Sequence, residues 1–404
     1  MKNILLITQH FPPENSGGIG RSLSLYKYMP VNGFNVIILT QNGYGNLDNE
    51  NNIYRANCRL IRNKKEWFSM KGFFKIISKL LYIYKLTTPR DFTFQYSSTE
   101  LANKIINSEN IDLIYATFPS LDSLIVALKL HKKYKIPLVT EFRDGLLYES
   151  IFKSFGLYDK YFLKKLERDI VNNSNLIITI GNRLTEYFTD NYKIDYAHTV
   201  FNGFDKSEFE ELKNIKYKYN DNKVRMVFFG RLSLTKARDM LPLLTSLSNL
   251  KNKGVISSNN FELHFIGDYT NTEKTNFYNL NLNDITFFHD KMNKIEGFKK
   301  IVRDFNYLLY YGFKGETTTI SSKIFEYIKL NKPIMGICKG NETEDIISNT
   351  KTGEICDFDE KAISELFTKI VNNEVDYSPI HENIDLYDRE RQTKDISTLI
   401  KNFL

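Results

Sequence analysis

Cysteine is scarce in this sequence: Cys58, Cys338 and Cys356 are the only three in 404 residues, and no CxxC pair or Cys/His cluster accompanies them. Three scattered thiols cannot form a disulfide framework and carry no structural-zinc spacing, which points to a reducing compartment. Long apolar runs are missing too. No stretch reaches 18 apolar residues, so no transmembrane helix is expected. The opening MKNILLIT is too short for a secretory core and runs straight into polar QHFPPENSGG. Charge of one sign is modest: 55 Lys+Arg stand against 48 Asp+Glu, a formal net charge of +7. Spread along the chain without a reader motif, that excess disfavours nucleic-acid binding. Hydrophobic residues at 42% and charged residues at 25% sit near globular averages, which excludes disordered and collagenous classes.

What the chain does have is a rhythm of short apolar runs, turns and longer amphipathic segments. The runs are NILLIT (3–8), NVIILT (35–40), DLIYAT (112–117), PLVTEF (137–142) and NLIITI (175–180). A second set is RMVFFG (225–230), LHFIG (263–267), ITFFH (285–289), YLLYY (307–311) and PIMGI (333–337). Rich in β-branched and aromatic residues with little polar alternation, they read as buried parallel strands, and the intervals are long enough for crossover helices. The polar stretch ELKNIKYKYNDNKV (211–224) separates five runs from five. At about 100–200 residues per domain, two α/β domains are expected, over 1–205 and 206–385, with a terminal helix over 386–404 able to cross back to the first. In open parallel sheets, ligands bind at the carboxyl ends of strands, so residues there carry the functional signal.

Three strand ends stand out. After the first strand, Gly17 and Gly18 precede an apparent helix whose exposed N–H groups would favour a phosphate; the alternative is a flexible turn with both glycines at positive φ. The dinucleotide fingerprint fails, because Gly18 and Gly20 align but Leu23 takes the third glycine's place, which disfavours a nicotinamide enzyme. His10 lies in the same turn. At the second site, Gly230-Arg231 and Lys236 follow a strand and place two cations where a diphosphate could bind, Arg as a fork and Lys as a point charge; ordinary surface charge is the alternative. The third is GFKGETTTISSKIFEY (312–327), where Ser321 or Ser322 is expected to cap a helix over Lys323–Leu330 that Asn331 stops. Glu326, one turn in, could accept hydrogen bonds from vicinal ribose hydroxyls while first-turn N–H groups hold phosphate. Its alternative is a half-buried pair with Lys323.

Taken in order, these segments resemble family 4 glycosyltransferases of the GT-B fold. The resemblance runs through FPPENSGGIGRS, IYATFPSLDSLIVAL, YKIPLVTEFRDG, NLIITIGNRLTEYF, TVFNGFDKSEF, FFGRLSLTK, LHFIG, SSKIFEYIKLNKPIMGI and NTKTGEI, nearly the whole chain. It implies two Rossmann-like domains with parallel sheets facing a central cleft, a nucleotide-sugar donor held mainly by the second, and transfer with retention. Arg231 and Lys236 would then contact and stabilise the departing diphosphate, Glu326 would bind ribose, and Ser321, Ser322 and Lys323 would flank the phosphate-binding helix start. Gly17 and Gly18 would form the first-domain loop near donor and acceptor. No metal or other cofactor is expected, since cations and N–H groups can stabilise the leaving group and no DxD element is present. The family's paired glutamates stand eight residues apart; here Thr318 lies eight before Glu326 and Glu316 ten before. Glu316 therefore takes the first role from a longer loop, or that role is absent. Arg143-Asp144 stands where many members have His-Asp. Asp144 could orient the sugar or acceptor, and Arg143 could aid phosphate or pair structurally with Asp144; Arg143 and His10 are the acceptor-side candidates.

Residues 64–85, KKEWFSMKGFFKIISKLLYIYK, place Lys71, Lys75, Lys79 and Lys85 on one helical arc and Phe73, Phe74, Ile76, Ile77, Leu80, Leu81 and Ile83 on the other. That pattern suits an interfacial helix on anionic lipid, or an ordinary domain helix on the sheet. The expected protein is a cytoplasmic glycosyltransferase, peripheral on the inner face of the plasma membrane if 64–85 binds lipid. It would move a sugar to a glycan or polyprenyl-linked acceptor in surface polysaccharide or lipopolysaccharide synthesis. A non-catalytic homologue and a sugar-nucleotide epimerase are the competitors.

Overall fold

The computed structural model describes residues 1–14, 18–43, 45–47, 51–57, 92–148, 157–232, 239–314 and 320–404. They form two compact units, Met1–Asn202 together with Arg389–Leu404, and Gly203–Asp388. The first unit is built on seven parallel strands, β1 (Lys2–Ile7), β2 (Phe34–Gln41), β3 (Ile53–Ala56), β4 (Leu113–Phe118), β5 (Leu138–Phe142), β6 (Leu176–Thr179) and β7 (Ala197–Thr199). Their order is β3-β2-β1-β4-β5-β6-β7. The direction of winding reverses between β1 and β4, in register Ile4↔Leu113, which is where an open α/β sheet opens a crevice at its carboxyl edge.

Alternation along β1 explains why its run looks uniformly apolar. Leu5 and Ile7 enter one core layer, Ile4 and Leu6 the other, and both layers are covered by helices. The terminal helix Arg389–Lys401 belongs to this unit, burying Ile396 and Ile400 beside Ile4 and Leu6.

The second unit repeats the plan with six parallel strands: β8 (Val224–Phe229), β9 (Phe261–Ile266), β10 (Thr286–His289), β11 (Tyr307–Tyr311), β12 (Ile334–Ile337) and β13 (Gly353–Cys356), ordered β10-β9-β8-β11-β12-β13. Its reversal falls between β8 and β11. All ten apolar runs are strands. The three strands not foreseen, β3, β7 and β13, are three of the four sheet edges; IYRA, AHT and GEIC are short and half-exposed and carry little of the apolar signal of an interior strand, whereas the fourth edge, β10, is legible through its two phenylalanines. Cys338 and Cys356 are buried free thiols, and burial pushes Cys356 up to about 12; Cys58 lies outside the described residues.

Candidate active site

At the carboxyl end of β8 the backbone is held in a conformation that favours glycine. Gly230 and, on neighbouring β9, Gly267 both have φ +141°, and a Cβ on Gly267 would fall 2.3 Å from the Gly230 carbonyl oxygen. The missing Gly230 side chain leaves room for a cation: a Cβ there would lie 1.5 Å from Lys323 Nζ. Lys323 arrives from the helix Lys323–Lys329, which is tied to β8 by the Phe229 N–H donating to the buried Tyr327 hydroxyl at 2.8 Å. Tyr327 and Lys323 share a helix face at i, i+4 spacing, so the lysine runs past the Phe228 ring, 5.6 Å from its centroid, to Gly230. Arg231 follows, exposed, with no hydrogen bond or ion pair among the described residues.

The helix start itself differs from expectation. Ser322 occupies the N-cap but its side chain makes no capping bond, and the helix ends at Lys329 with Leu330 as cap and Asn331 at φ +56°. Seven residues make a weak dipole, so the positive charge brought to Gly230 is chiefly the Lys323 ammonium. Ser321 precedes it, accepting from the Ile324 N–H at 3.1 Å.

Glu326 does not pair with Lys323. Its Oε1 lies 2.8 Å from Lys294 Nζ, and that ammonium also donates to Glu208 Oε2 at 2.6 Å. Lys294 opens the helix Lys294–Asp304, capped by Asn293, whose side chain accepts from the Glu296 N–H at 2.9 Å. The helix sits close against β8 because Gly297 leaves space for the Phe229 ring, whose Cζ a Cβ would meet at 2.4 Å, and because Phe298 stacks on Phe209 at 5.3 Å. Burial disfavours the charged lysine, yet the Glu326 and Glu208 carboxylates together raise Lys294 above the ordinary lysine value. The sequence signal that could have found this pair is weak: Lys294 is one of three lysines in an eleven-residue helix and lies 32 positions from its partner.

At the corresponding edge of the first unit, charge is turned inward. Arg21 Nε lies 2.8 Å from Glu141 Oε1, at ion-pair distance but off hydrogen-bond angle, with side chains 3% and 0% exposed. Arg21 donates to the Val200 carbonyl and, at 2.8 Å, to that of Phe201. Arg143 donates to the carbonyls of Gly18, Phe118 and Pro119. Burial lowers the Arg143 guanidinium pKa, against the opposing pull of Glu141 and Asp144. The Tyr115 hydroxyl is pushed well above its usual range by burial and by the Glu141 charge. Arg143 is thus a main-chain anchor as well as a neighbour of Asp144. Gly20 also has a packing role, because a Cβ there would lie 2.5 Å from Arg389 Nη2.

His10 pairs locally, its Nδ1 2.9 Å from both oxygens of buried Glu14. His264 and His289 stack, with Nδ1 to Nε2 at 2.9 Å, and burial pushes His264 down to about 4. Gly17, Lys236, Glu316, Thr318 and the stretch 64–85 lie outside the described residues, while Gly18 immediately precedes the helix Ile19–Tyr28. Among the described residues no three His, Cys, Asp or Glu side chains form a metal-holding group, and no helix is long and apolar enough to cross a membrane.

Residues 16–208 match the family model described as Glycosyltransferase Family 4. No curated protein sequence matches the chain. Among solved structures, the lipopolysaccharide outer core galactosyltransferase WaaB in its apo form is similar at TM-score 0.65 and 13% identity, covering 100% of both chains. WaaG, a glycosyltransferase involved in lipopolysaccharide biosynthesis, is similar at TM-score 0.59 and 11% identity, covering 99% of this chain and 98% of its own. A UDP-GlcNAc 2-epimerase from Neisseria meningitidis bound to UDP-GlcNAc is similar at TM-score 0.50 and 12% identity, covering 100% of both chains. The fold, two doubly wound parallel sheets, is GT-B.

Proposed function

We propose, for a chain whose residues 16–208 match the model of glycosyltransferase family 4 and whose fold is GT-B, that it transfers a sugar from a nucleotide-sugar donor to a glycan or lipid-linked acceptor, with retention of anomeric configuration. The observation that carries this reading is the edge of the second unit, where Lys323 fills the space at Gly230, Arg231 is exposed beside it, and Glu326 stands one helical turn from Lys323. Cations fixed beside a strand end suit a diphosphate, and a carboxylate one turn away suits a ribose diol. The bond to break joins the anomeric carbon to a phosphate oxygen. Arg231 and Lys323, with Lys236 five residues after Arg231 in sequence, would bear the charge that develops on the departing nucleoside diphosphate. Asp144 and His10 are the acceptor-side candidates of the first unit; Arg143 would position Gly18 through its carbonyl.

A lipopolysaccharide or other surface-polysaccharide acceptor is favoured by the functions of WaaB and WaaG, and a UDP-sugar donor by the ligand of the epimerase neighbour. That epimerase also sustains a second reading, sugar-nucleotide epimerisation. The two separate cleanly in one assay. A transferase releases nucleoside diphosphate faster when acceptor is added, whereas an epimerase interconverts its nucleotide sugar with no acceptor present. Full activity of Arg231→Ala in either assay would remove the site assignment.

A further inference from the structure

We propose that Lys294 is the positioning residue of the Glu326 carboxylate: by holding Oε1 it leaves Oε2 as the acceptor for a ribose hydroxyl and so sets the preference for a ribonucleoside diphosphate. The inference rests on the donor-site reading above. Spacing alone would pair Glu326 with Lys323, three residues earlier on the same helix. Such a pair would draw the Lys323 ammonium toward the carboxylate and away from Gly230. Instead Lys294, from a different helix, takes Glu326 at 2.8 Å, and Lys323 Nζ reaches the space at Gly230. The two functions, cation for phosphate and carboxylate for diol, are kept apart by that third side chain.

The geometry of Lys294 is itself fixed. Glu208 engages the same ammonium at 2.6 Å, Phe298 stacks on Phe209, and Gly297 admits Phe229, so the start of this helix is held on three sides. No described residue donates a hydrogen bond to Glu326 Oε2. A charged acceptor held by a partly buried ammonium pays little ordering entropy when a diol arrives, which is the condition for a specific hydrogen bond. Lys294 touches neither the sugar nor the diphosphate in this scheme and acts through Glu326.

The test uses the full chain and compares binding of UDP with 2′-deoxy-UDP by calorimetry, alongside KM and kcat for the nucleotide sugar; GDP and ADP are run in parallel so that the base is not assumed. Wild type is expected to prefer the ribose form by about tenfold, the scale of one hydrogen bond to a charged group. Lys294→Met should bring that ratio near one and raise KM by about tenfold while kcat falls less than about threefold, and Lys294→Arg should restore most of the ratio. Because Lys294→Met leaves two carboxylates facing each other, the double variant Glu208→Gln/Lys294→Met removes the repulsion; it should keep the native melting temperature and still lack the ratio. An unchanged ratio in that folded double variant overturns the inference, as does a wild type that binds both forms equally. A wild type that binds none of the nucleoside diphosphates overturns the donor-site reading beneath it.

Discussion

In the first unit Arg21 and Arg143 are almost fully buried; Arg21 pairs with the Glu141 carboxylate, whose charge Arg143 also feels, and both donate to main-chain carbonyls, from Gly18, Phe118, Pro119, Val200 and Phe201. In the second, Arg231 is exposed and Lys323 reaches the gap at Gly230, at the equivalent strand end. Both units wind their sheets alike, reversing beside the first strand of each, yet their arginines are used in opposite ways. A guanidinium whose N–H groups are taken up by carbonyls stiffens loops and has little left for a ligand. One that stays at the surface keeps its donors for an incoming anion. The comparison teaches that basic residues at a strand end report a binding site only when their hydrogen bonds are not already consumed by the fold.

The most severe test breaks the inward-facing set. Glu141→Ala leaves the buried Arg21 guanidinium without its carboxylate and weakens the field that holds Arg143 charged; it should cost about 3–5 kcal/mol of stability, read as a lower urea midpoint. A loss under about 1 kcal/mol would mean the arginines are as solvated as those of the second unit, and the contrast would fail. Next comes the exposed Arg231. Arg231→Ala should lower turnover by roughly 100-fold while stability moves within about 0.5 kcal/mol, and Lys236→Ala should lower turnover to a like degree; a stability loss with unaltered turnover in Arg231→Ala would reverse the assignment.

Gly230→Ala sharpens the same contrast on a smaller scale. Its φ of +141° and the position of Lys323 Nζ mean that a methyl both strains the backbone and evicts the ammonium. About 1–3 kcal/mol of destabilisation should accompany weakened binding of nucleoside diphosphate, measured by thermal shift. The smallest effect is in acid. The folded pKa of His264, pushed to about 4, lies below its ordinary value of 6.5, so the unfolded chain binds more protons between those limits. Stability from this group is present above about pH 6.5 and lost as pH falls toward 4. The drop in urea midpoint from pH 7 to 4.5 should therefore be shallower in His264→Phe than in wild type; equal slopes would show that the pair is solvated.

The interior strands were readable because each is buried on both faces and so wrote an unbroken apolar run, as in NILLIT and YLLYY. Three of the four edge strands, IYRA, AHT and GEIC, were not, since an edge has one neighbour and tolerates polar residues; the fourth, β10, was readable only because it keeps two adjacent phenylalanines. At the site, Gly230, Arg231 and Glu326 could be singled out from local pattern. The partner of Glu326 could not: Lys323 is the near choice in sequence, and the structure selects Lys294 from another helix. Arg21 and Glu141 raised no signal at all, because a buried ion pair 120 positions apart leaves no mark on either segment. Gly20 stood out only as a position of the dinucleotide fingerprint that fails at Leu23, and its missing side chain in fact accommodates Arg389.

The sequence by itself determined the alternation of strand and helix, the division into two wound sheets and the residue types at their carboxyl edges, because periodicity, turn residues and burial of short runs are local properties. Only the tertiary structure decided which charges face inward and which remain for a ligand. Ion pairing and the eviction or admission of a side chain by a glycine depend on distances across elements, and those are settled when helices pack on sheets rather than when they form.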